Sequence, residues 1–537
     1  MVTAEAKGLH SRRRYRRALV RVALVLLGLL GTTEAYVGHA RAGGHGSAAT
    51  ARGRLLGTVS LDPGQQARAL PDSFLGFSQE YNLVPSWIGT YRSGPNPVLE
   101  KLFSTLRAAG SGTPLLRIGG GSTDGAMWDP TGKRPPRGIY FGIDYPWALG
   151  LSAFLRSTHA PVILGVNFAL RKVSIAADWA KAALRLLPAR SIREFEVGNE
   201  PDIYSTRPFN IEAKHPGFTR RRSYSPADYI RELIPFLRAL HRSVPKAHLA
   251  GPALCCETRW VDAMPGILSR AHRYLSLVTM HRYPLNACGV KPGRPGYPTP
   301  ASLLAPGTLL FNALQFNGLA NLARRYRLGL RLDEVNSAAC GGAIGASNTF
   351  ASALWAANWL FAMDAARVAG VDFHGSSPLY TPFSFRYGTD GWSGHVDPEF
   401  YGLLLFAAAT AHHSRYLPGT RVQPSRRGMN IWSWGYYDRR DHVMRIAVLN
   451  LGTRLRGRLR FAAGARTGST ATIERLTAPS LRATRNIRWG GRYYAAITDG
   501  RQIGAPEVER VRRHGHNFVV SVGPASALLL TVQYRPA

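Results

Sequence analysis

The sequence predicts an α/β protein, with a (β/α)8 TIM barrel followed by a C-terminal β-sandwich domain. Short apolar strand candidates alternate with helix candidates from residue 74 to about residue 412, which is typical of a barrel of parallel strands. After residue 412 the helical periodicity ends and short alternating strands begin, as in a β-sandwich. The chain has 537 residues, 45% of them hydrophobic, and is long enough to bury both cores.

Eight strand candidates define the predicted barrel, and each ends in glycine, proline or polar residues. In chain order they are Phe74–Gln79, Leu115–Ile118, Val162–Asn167, Glu194–Val197, His248–Gly251, Leu277–Met280, Leu330–Leu332 and Val371–His374. The helix candidates between them include Pro97–Ala109, Ile175–Leu187, Pro226–Ser243, Leu309–Tyr326 and Thr349–Ala369. An open doubly wound sheet is the alternative, but no glycine-rich nucleotide-binding motif opens a helix after the first strand.

The flanking segments complete the predicted domain organisation. Residues 55–73 carry a strand, Leu55–Leu61, that we expect to join the sandwich; residues 74–412 are predicted to form the barrel and residues 413–537 the sandwich. The sandwich strand candidates are Met429–Tyr436, Val443–Leu449, Phe518–Val522 and Ala527–Val532.

Residues 1–42 resemble an export signal. A basic cluster at Arg12–Arg17 precedes the apolar run Val22–Leu30, and Ala40-Arg41-Ala42 offers a small-x-small cleavage pattern. The apolar run is shorter than the ~20 residues of a comfortable membrane span. We therefore expect a secreted or extracytoplasmic protein, with an uncleaved N-terminal membrane anchor as the alternative. Residues 43–54, rich in glycine, alanine and arginine, are predicted to be a linker.

The charge balance and the cysteines limit the class of partner. The formal net charge is +36, spread along the chain, which fits either attraction to an acidic glycan or a solvated arginine-rich surface. No recognition motif supports nucleic-acid binding. The four cysteines match no common zinc pattern. We expect at most one disulfide, between Cys288 and either Cys255 or Cys256.

Two of the strand candidates end in carboxylates. Phe195–Pro201 is an apolar strand that stops at Gly198-Asn199-Glu200, and Leu330–Ser337 contains Glu334 after a similar apolar run. Catalytic groups collect at the carboxyl ends of barrel strands, and glycoside hydrolysis requires two carboxylates that face one cavity. Asp333, next to Glu334, is the alternative at the second position because the strand register is open.

Several segments resemble, in chain order, the strand ends of glycoside hydrolase family 79, the heparanase and β-glucuronidase group. The similarity is found in Phe74–Glu80, Leu116–Gly120, Phe195–Pro201, His281–Pro284, Arg331–Ser337 and Asp397–Leu403. It runs from about residue 74 to residue 405, and the last 125 residues resemble the family's sandwich by pattern.

The resemblance implies a retaining mechanism in which Glu200 is the general acid/base and Glu334 the nucleophile. Arg117 is a candidate donor that keeps Glu334 ionised. Asn199 is expected to contact the sugar 2-hydroxyl, with a turn-forming role as the alternative. Glu80 is a candidate ligand for sugar hydroxyls, with a buried carboxylate paired to an arginine as the alternative.

Further residues are candidates for substrate contact. His281 and Tyr283 stand at one strand end, and Tyr283 is expected either to touch the nucleophile or sugar, or to pack beside Pro284. The family binds the uronate carboxylate with amides of a glycine-rich loop, here Cys340-Gly341-Gly342, although Ala339 replaces a tyrosine that relatives often carry. Tyr380 is a candidate to supply a hydroxyl instead, with an aromatic residue that faces the sandwich as the alternative. Arg220-Arg221-Arg222 either grips an acidic polymer or forms a solvated turn.

These features predict a secreted retaining β-glycosidase that hydrolyses terminal β-D-glucuronides or uronic-acid-containing glycans. A heparanase-like endo-glycosidase, a β-glycosidase of other specificity and a non-catalytic polysaccharide-binding protein are the alternatives. The chemistry requires no metal and no organic cofactor, because an acid and a nucleophile suffice.

Overall fold

The structure, a computed structural model, describes residues 53–61, 64, 66–132, 135–206, 219–255 and 257–535. The predicted signal or anchor (residues 1–42), most of the predicted linker and Cys256 lie outside the described residues. In the part of the chain that is described, no helix has both the length and the apolar character needed to cross a membrane.

The strands are numbered along the chain. They are β1 (Leu55–Leu61), β2 (Leu75–Glu80), β3 (Gly89–Thr90), β4 (Gly94–Pro95), β5 (Leu115–Gly119), β6 (Ala126–Trp128), β7 (Phe141–Ile143), β8 (Val162–Val166), β9 (Ile192–Val197), β10 (Leu249–Leu254), β11 (Leu275–Arg282), β12 (Leu285–Asn286), β13 (Gly329–Val335), β14 (Ala338–Ala339), β15 (Gly370–His374), β16 (Phe383–Gly388), β17 (Gly391–Val396), β18 (Arg415–Leu417), β19 (Val422–Pro424), β20 (Ile431–Asp438), β21 (Val443–Asn450), β22 (Gly457–Ala463), β23 (Thr467–Thr477), β24 (Arg488–Trp489), β25 (Glu509–Arg512), β26 (Asn517–Val522) and β27 (Ser526–Tyr534).

The helices lie mainly between the barrel strands. They are α1 (Val84–Ile88), α2 (Pro97–Leu106), α3 (Tyr145–Thr158), α4 (Val173–Leu186), α5 (Pro226–Ser243), α6 (Thr258–Asp262), α7 (Met264–Ala271), α8 (Pro300–Leu303), α9 (Pro306–Arg325), α10 (Phe350–Ala365) and α11 (Pro398–Ala409). Helix α5 shows how the sequence sets these bounds, because Ser225 and Asp228 form a reciprocal capping box at its start.

The predicted fold class is confirmed by a closed barrel of parallel strands. Strands β2, β5, β8, β9, β10, β11, β13 and β15 pair in that order, and β15 pairs with β2 to close the ring. Each parallel connection carries a crossover, which the intervening helices supply. All eight strands therefore point their carboxyl ends to the same face, which we call the catalytic face.

The barrel interior is polar in its lower layer. Arg331 on β13 donates to Asp372 on β15 from Nε at 2.7 Å and from Nη2 at 2.5 Å. Gly76 on β2 makes room for this pair, because a Cβ there would lie 1.9 Å from Asp372 Oδ1. Burial raises the pKa of Asp372 to about 6, although Arg331 opposes the rise.

The C-terminal domain is a β-sandwich of two sheets. The first has the order β19-β1-β22-β26 and the second the order β18-β20-β21-β27-β23-β24, with β25 also paired to β23. Strand β1, which precedes the barrel in the chain, lies inside the first sheet, parallel to β22 and antiparallel to β19. The apolar sides of both sheets, such as Val59, Phe461 and Leu530, form one core between them.

Helix α10 joins the two domains, and nearly every one of its side chains is buried. Phe361 stacks on Trp434 of the sandwich with ring centroids 6.0 Å apart. Asn358 accepts a hydrogen bond from Trp434 Nε1 at 2.8 Å, and Asp364 accepts one from the Tyr436 hydroxyl at 3.0 Å. The interface therefore combines aromatic packing with hydrogen bonds from the sandwich side chains Trp434 and Tyr436 to helix α10.

The expected disulfide partner of Cys288 is wrong, because Cys288 is bonded to Cys340, with 6.0 Å between their Cα atoms. The physical reason is the short parallel pairing of β12 with β14, which places the residues after both strands side by side. Cys255 lies elsewhere, with its Sγ 3.5 Å from Asp202 Oδ2. The bridge ties the loop after β12 to the loop that follows Glu334.

We expect Phe361→Ala to destabilise the protein by about 3–5 kcal/mol, because it removes a buried aromatic ring from the interface between the domains. Thermal unfolding followed by circular dichroism would measure the shift. Phe311→Ala, on the 61%-exposed Phe311 of α9, is the matched control and should change stability by no more than about 0.5 kcal/mol. Equal shifts in the two variants would contradict the role given to Phe361.

Candidate active site

Glu200 is presented by a sharp bend at the end of β9. Gly198 has a φ of 76° and Glu200 a φ of 50°, both in the left-handed region. The Glu200 N–H donates to Ala253 O at 2.9 Å, and Pro201–Ile203 then forms a short 3-10 helix. A non-glycine residue in this conformation is strained, and such strain clusters at functional sites.

Glu334 owes its position to a bulge in β13. Met280 of β11 pairs with Leu332, whereas the next residue, His281, pairs with Glu334, so that Asp333 is the extra residue. Neighbouring residues of a regular strand point to opposite faces. The bulge instead brings Asp333 and Glu334 both into contact with Arg117, which is a known use of bulges near active sites.

The two glutamates face one another across the catalytic face. A carboxylate oxygen of Glu200 and one of Glu334 lie within 4.8 Å of each other, with His281 between them. Glu200 is 8% exposed and Glu334 is 6% exposed, so both are buried but retain some contact with solvent. Carboxyl groups ~5–5.5 Å apart fit a retaining glycosidase, whereas inverting enzymes need ~6.5–9.5 Å.

Arg117, fully buried on β5, connects the groups of the site. Its Nη1 donates to Glu334 Oε2 at 2.8 Å, and its Nη2 donates to Glu196 Oε2 at 2.6 Å and to Asn199 Oδ1 at 3.0 Å. A guanidinium holds its donors in one plane, so these contacts also fix the relative orientation of the acceptors. Burial opposes the charge, but Glu196 and the other nearby carboxylates outweigh it and raise the pKa of Arg117.

Glu334 is held in its ionised form. Besides Arg117, the Tyr283 hydroxyl donates to its Oε1 at 2.9 Å. Burial raises the pKa of Glu334, but His374, His281, Arg117 and the Tyr283 hydrogen bond together hold this pKa well below its usual range. An ionised carboxylate at this position can act as a nucleophile.

His281 lies between the two glutamates and Arg117. Its Nδ1 is 3.1 Å from Glu200 Oε1, and its Nε2 is 3.3 Å from Arg117 Nη2. Because a guanidinium nitrogen can only donate, Nε2 serves as the acceptor and Nδ1–H as the donor to Glu200 in the neutral ring. Burial lowers the pKa of His281, but Glu334 and the hydrogen bond to Glu200 outweigh it and raise the pKa.

Glu196 and Asp333 form a buried carboxyl pair beneath the catalytic glutamate candidates. Both side chains are fully buried, and an oxygen of each lies within 4.8 Å of the other and of His281. Burial and the adjacent Glu196 raise the pKa of Asp333 well above its usual range, while Arg117 holds the pKa of Glu196 low despite burial. Asp333 is therefore the protonated member, and it does not face the cleft as Glu334 does.

The structure places most of the predicted substrate contacts around this centre. Asn199 lies beside Arg117, and the ring of Tyr283 lies 6.0 Å from that of Tyr380. Tyr380 also packs against the glycine-rich loop, because a Cβ at Gly342 would lie 3.2 Å from its ring. Gly341 has a φ of 81° and its carbonyl accepts from Ser377 Oγ at 2.7 Å.

Two residues predicted to contact substrate also have partners within the protein. Glu80 accepts from the backbone N–H of Gly121 at 3.0 Å and of Ser122 at 2.7 Å, and His374 Nε2 lies 3.7 Å from its Oε1. Arg220 is 3% exposed and pairs with Glu232 at 2.8 Å, so it does not form the predicted contact with an acidic polymer. Arg221, by contrast, is exposed and pairs with Asp228.

Two residues of the site were not predicted from the sequence. His374, at the end of β15, lies 3.0 Å from Ser78 Oγ and 4.0 Å from Glu334 Oε2. Asp124 accepts from the Asn199 N–H at 3.2 Å and the Tyr204 hydroxyl at 2.6 Å, and so orients the loop that carries Asn199 and Glu200. The strand-end position of His374 was a usable signal, whereas nothing in the sequence around Asp124 points to its partners.

Comparisons with known proteins agree with this architecture. Residues 433–529 match the Glycosyl hydrolase family 79 C-terminal beta domain. A beta-glucuronidase of Aspergillus niger is 23% identical over 381 residues, which cover 66% of this chain and 67% of that protein. A beta-glucuronidase of Neurospora crassa is 24% identical over 199 residues, 34% of each chain.

Solved structures share the fold over most of the chain. A 4-O-alpha-L-rhamnosyl-beta-D-glucuronidase from Fusarium oxysporum has a TM-score of 0.70 at 16% identity, covering 89% of this chain and 100% of its own. An arabinofuranosidase of glycoside hydrolase family 51 from Xanthomonas axonopodis has a TM-score of 0.64 at 14% identity, covering 89% and 99%.

A barrel with two carboxylates meeting at its catalytic face, together with these matches, defines a glycoside hydrolase. Its sandwich matches the C-terminal beta domain of glycoside hydrolase family 79, and the chain is similar to a beta-glucuronidase over a longer stretch.

We expect Asp333→Asn to flatten the decline of stability with rising pH. Folded Asp333 keeps a proton that the unfolded chain releases above its usual pKa, so the wild-type stability falls as pH rises through that range. An asparagine cannot release this proton and can still donate to Glu196. Melting temperatures at pH 5 and pH 8 would measure the difference, with the exposed Asp390→Asn as control. A decline in Asp333→Asn as steep as in the wild type would exclude a protonated Asp333.

Proposed function

We propose that the protein is a retaining β-glucuronidase that hydrolyses terminal β-D-glucuronides through Glu200 and Glu334. The observation that carries the proposal is the pair of glutamates within 4.8 Å, one held as an anion and the other beside a histidine. The relatives named beta-glucuronidase support the choice of sugar.

In the first step Glu200 donates a proton to the glycosidic oxygen while Glu334 attacks the anomeric carbon. The bond from that carbon to the leaving oxygen breaks, and a covalent glycosyl–enzyme ester forms. Arg117 and Tyr283 direct the lone pairs of Glu334 by occupying its two oxygens. In this mechanism Asn199, which contacts Arg117 and Asp124, binds the sugar 2-hydroxyl.

In the second step water replaces the leaving group. Glu200 accepts a proton from this water, whose oxygen attacks the anomeric carbon and releases Glu334 as a carboxylate. The ester formed in the first step has no negative charge, so the anion that lay beside Glu200 is absent during this step. His281 Nδ1–H is positioned to stabilise the carboxylate of Glu200.

We assign recognition of the uronate carboxylate to the loop Cys340-Gly341-Gly342. All three residues have positive φ values, of 64°, 81° and 87°, so the backbone turns tightly at this point, and amides in such turns bind anions. The neighbouring Tyr380 hydroxyl, 3.1 Å from Ser376 Oγ, can take the place of the tyrosine that Ala339 replaces.

We also propose that the protein acts outside the cytoplasm, secreted or held by its N-terminal segment. The sequence pattern of residues 1–42 supports this, and so does the Cys288–Cys340 disulfide, because disulfides persist in oxidising compartments.

The roles of the two glutamates can be separated with azide. On an aryl β-D-glucuronide, Glu200→Ala should lower kcat by about 10²–10⁴, and azide should restore turnover with a β-glucuronosyl azide as product. Glu334→Ala should be at least as impaired, and azide should yield the α-azide. Proton NMR identifies the anomer.

A panel of aryl glycosides tests the sugar. Wild-type turnover of aryl glucosides or arabinosides, with none of the glucuronide, would overturn the proposed substrate. Release of the α-anomer of glucuronic acid as first product by the wild type would overturn retention.

We expect Tyr283→Phe to move the acidic limb of the kcat/KM profile to higher pH, by about one unit. The lost hydroxyl donates to Glu334, and removing a hydrogen bond to a carboxylate raises its pKa. Tyr91→Phe, at an exposed tyrosine, is the matched control. An unchanged acidic limb in Tyr283→Phe would show that this contact does not set the ionisation of Glu334.

A further inference from the structure

A groove lined by aromatic rings lies between the segments that follow two neighbouring barrel strands. One wall comes from residues 85–93, which follow β2, and the other from the β16–β17 hairpin, which follows β15. Strands β2 and β15 pair directly, so both walls lie on the catalytic side of the barrel. The lining of this aromatic groove includes Ser86, Thr90 and Arg92 on one wall and Phe385, Tyr387 and Trp392 on the other.

The hairpin holds its aromatic rings in a fixed arrangement. Tyr387 and Trp392 are directly opposite one another on β16 and β17, with ring centroids 5.1 Å apart. Phe385 packs on Phe383 at 5.3 Å, and Phe383 in turn contacts Trp87 of α1 at 4.8 Å. Tyr387 is nevertheless 56% exposed. The rings of the groove are therefore positioned by packing within the protein before any ligand arrives.

The packing that supports the groove extends to the end of β15. A Cβ at Gly375 would lie 2.0 Å from the ring of Trp87, so the indole fills the space beside this glycine. Gly375 directly follows His374, and its carbonyl accepts from Gln79 Nε2 at 3.2 Å. The groove is thus connected through Trp87 to the strand end that carries His374, but its own lining residues belong to segments outside the catalytic centre.

The polar groups of the groove can bond to hydroxyl groups. Ser86 Oγ donates to Leu83 O at 2.7 Å. Thr90 Oγ1 donates to Ser93 Oγ at 3.1 Å. Both hydroxyl hydrogens are therefore used inside the protein, which leaves oxygen lone pairs as acceptors for a ligand. Arg92 is exposed and supplies N–H donors to the same wall.

Trp392 carries a hydrogen-bond donor without an acceptor. Its Nε1–H is shielded from solvent and meets no acceptor among the described residues, although a buried indole N–H usually has one. Because Trp392 lines the groove, a hydroxyl group held there is the kind of acceptor that this indole lacks.

The size and the lining of the groove favour a sugar as its occupant. Its volume of about 400 Å³ lies within the range of ~300–1,000 Å³ that small-molecule sites occupy, whereas a stable protein interface covers ~800 Å² on each partner. The C–H face of a pyranose ring is apolar and carries positive partial charge, which the negative face of an aromatic ring attracts. The hydroxyl groups at the ring edge match the polar wall.

We propose that the aromatic groove is a second carbohydrate site, separate from the catalytic cleft, that binds a neutral pyranose unit of a glycan. Tyr387 and Trp392 contact the face of the ring, and Ser86, Thr90 and Arg92 bond to its hydroxyl groups. The site holds a glycan chain against the catalytic side of the barrel. The proposal depends on the protein being a glycoside hydrolase and not on the sugar that we propose for the cleft.

The test uses neutral hexasaccharides of β-linked glucose and of β-linked xylose, which contain no glucuronosyl unit. Calorimetry would measure their binding to the wild type, Tyr387→Ala, Trp392→Ala and the control Phe311→Ala. Tyr387 and Phe311 are 56% and 61% exposed, so the first and last variants remove similarly exposed rings and should stay folded, which melting temperatures would check.

We expect Tyr387→Ala and Trp392→Ala to weaken hexasaccharide binding by about tenfold and Phe311→Ala to leave it unchanged. Turnover of an aryl β-D-glucuronide should be the same in Tyr387→Ala and the wild type. A loss of turnover that matches the loss of binding would place Tyr387 in the cleft and overturn a separate site.

Two further outcomes would overturn the proposal. Equal affinities in Tyr387→Ala and the wild type would place the bound sugar elsewhere. Binding of neither hexasaccharide to the wild type would reject a sugar as the occupant and favour a protein segment. Sugar binding that depends on Tyr387, in a wild type that hydrolyses no glucuronide, would instead refute the function proposed for the cleft and leave the second site standing.

Discussion

One buried cation organises the site. Arg117 has no contact with solvent, and its guanidinium is shared by Glu334, Glu196 and Asn199. Losing one partner of a buried charge leaves the other uncompensated, which costs about 3–5 kcal/mol. The position of each acceptor is therefore tied to the others, and a rigid set of acceptors is what holds an attacking carboxylate in line with an anomeric carbon.

The balance of charge around Arg117 also explains which of the buried carboxyl groups near it is protonated. One guanidinium cannot offset three buried carboxylates, so one of them must keep its proton. Asp333 is the protonated residue because it lies 3.9 Å from Arg117 Nε, whereas Glu196 and Glu334 are hydrogen-bonded to the guanidinium. The bulge in β13 thus places the neighbouring carboxyl groups of Asp333 and Glu334 together inside the barrel, where they have opposite protonation states.

Most of the barrel could be predicted because its strands are continuous apolar runs with polar ends, as buried parallel strands must be. The positions of Glu200 and Glu334 followed from the same rule. The direction in which the Asp333 side chain points could not be predicted, because the bulge at this residue depends on pairing with β11 and leaves no local sequence pattern. The disulfide partner of Cys288 was wrong for a similar reason, since the two-residue pairing of β12 with β14 is too short to recognise. Strand β23 was missed because glycine, serine and threonine fill its first half.

The place of β1 in the sandwich has a consequence for biosynthesis. This strand leaves the ribosome before any of the barrel, yet its parallel neighbour β22 begins at Gly457. Translation at roughly 5–20 residues per second needs tens of seconds to cover that interval. During this time the nascent chain carries an apolar strand without its sheet, and the last domain closes only when the first-made and last-made segments meet.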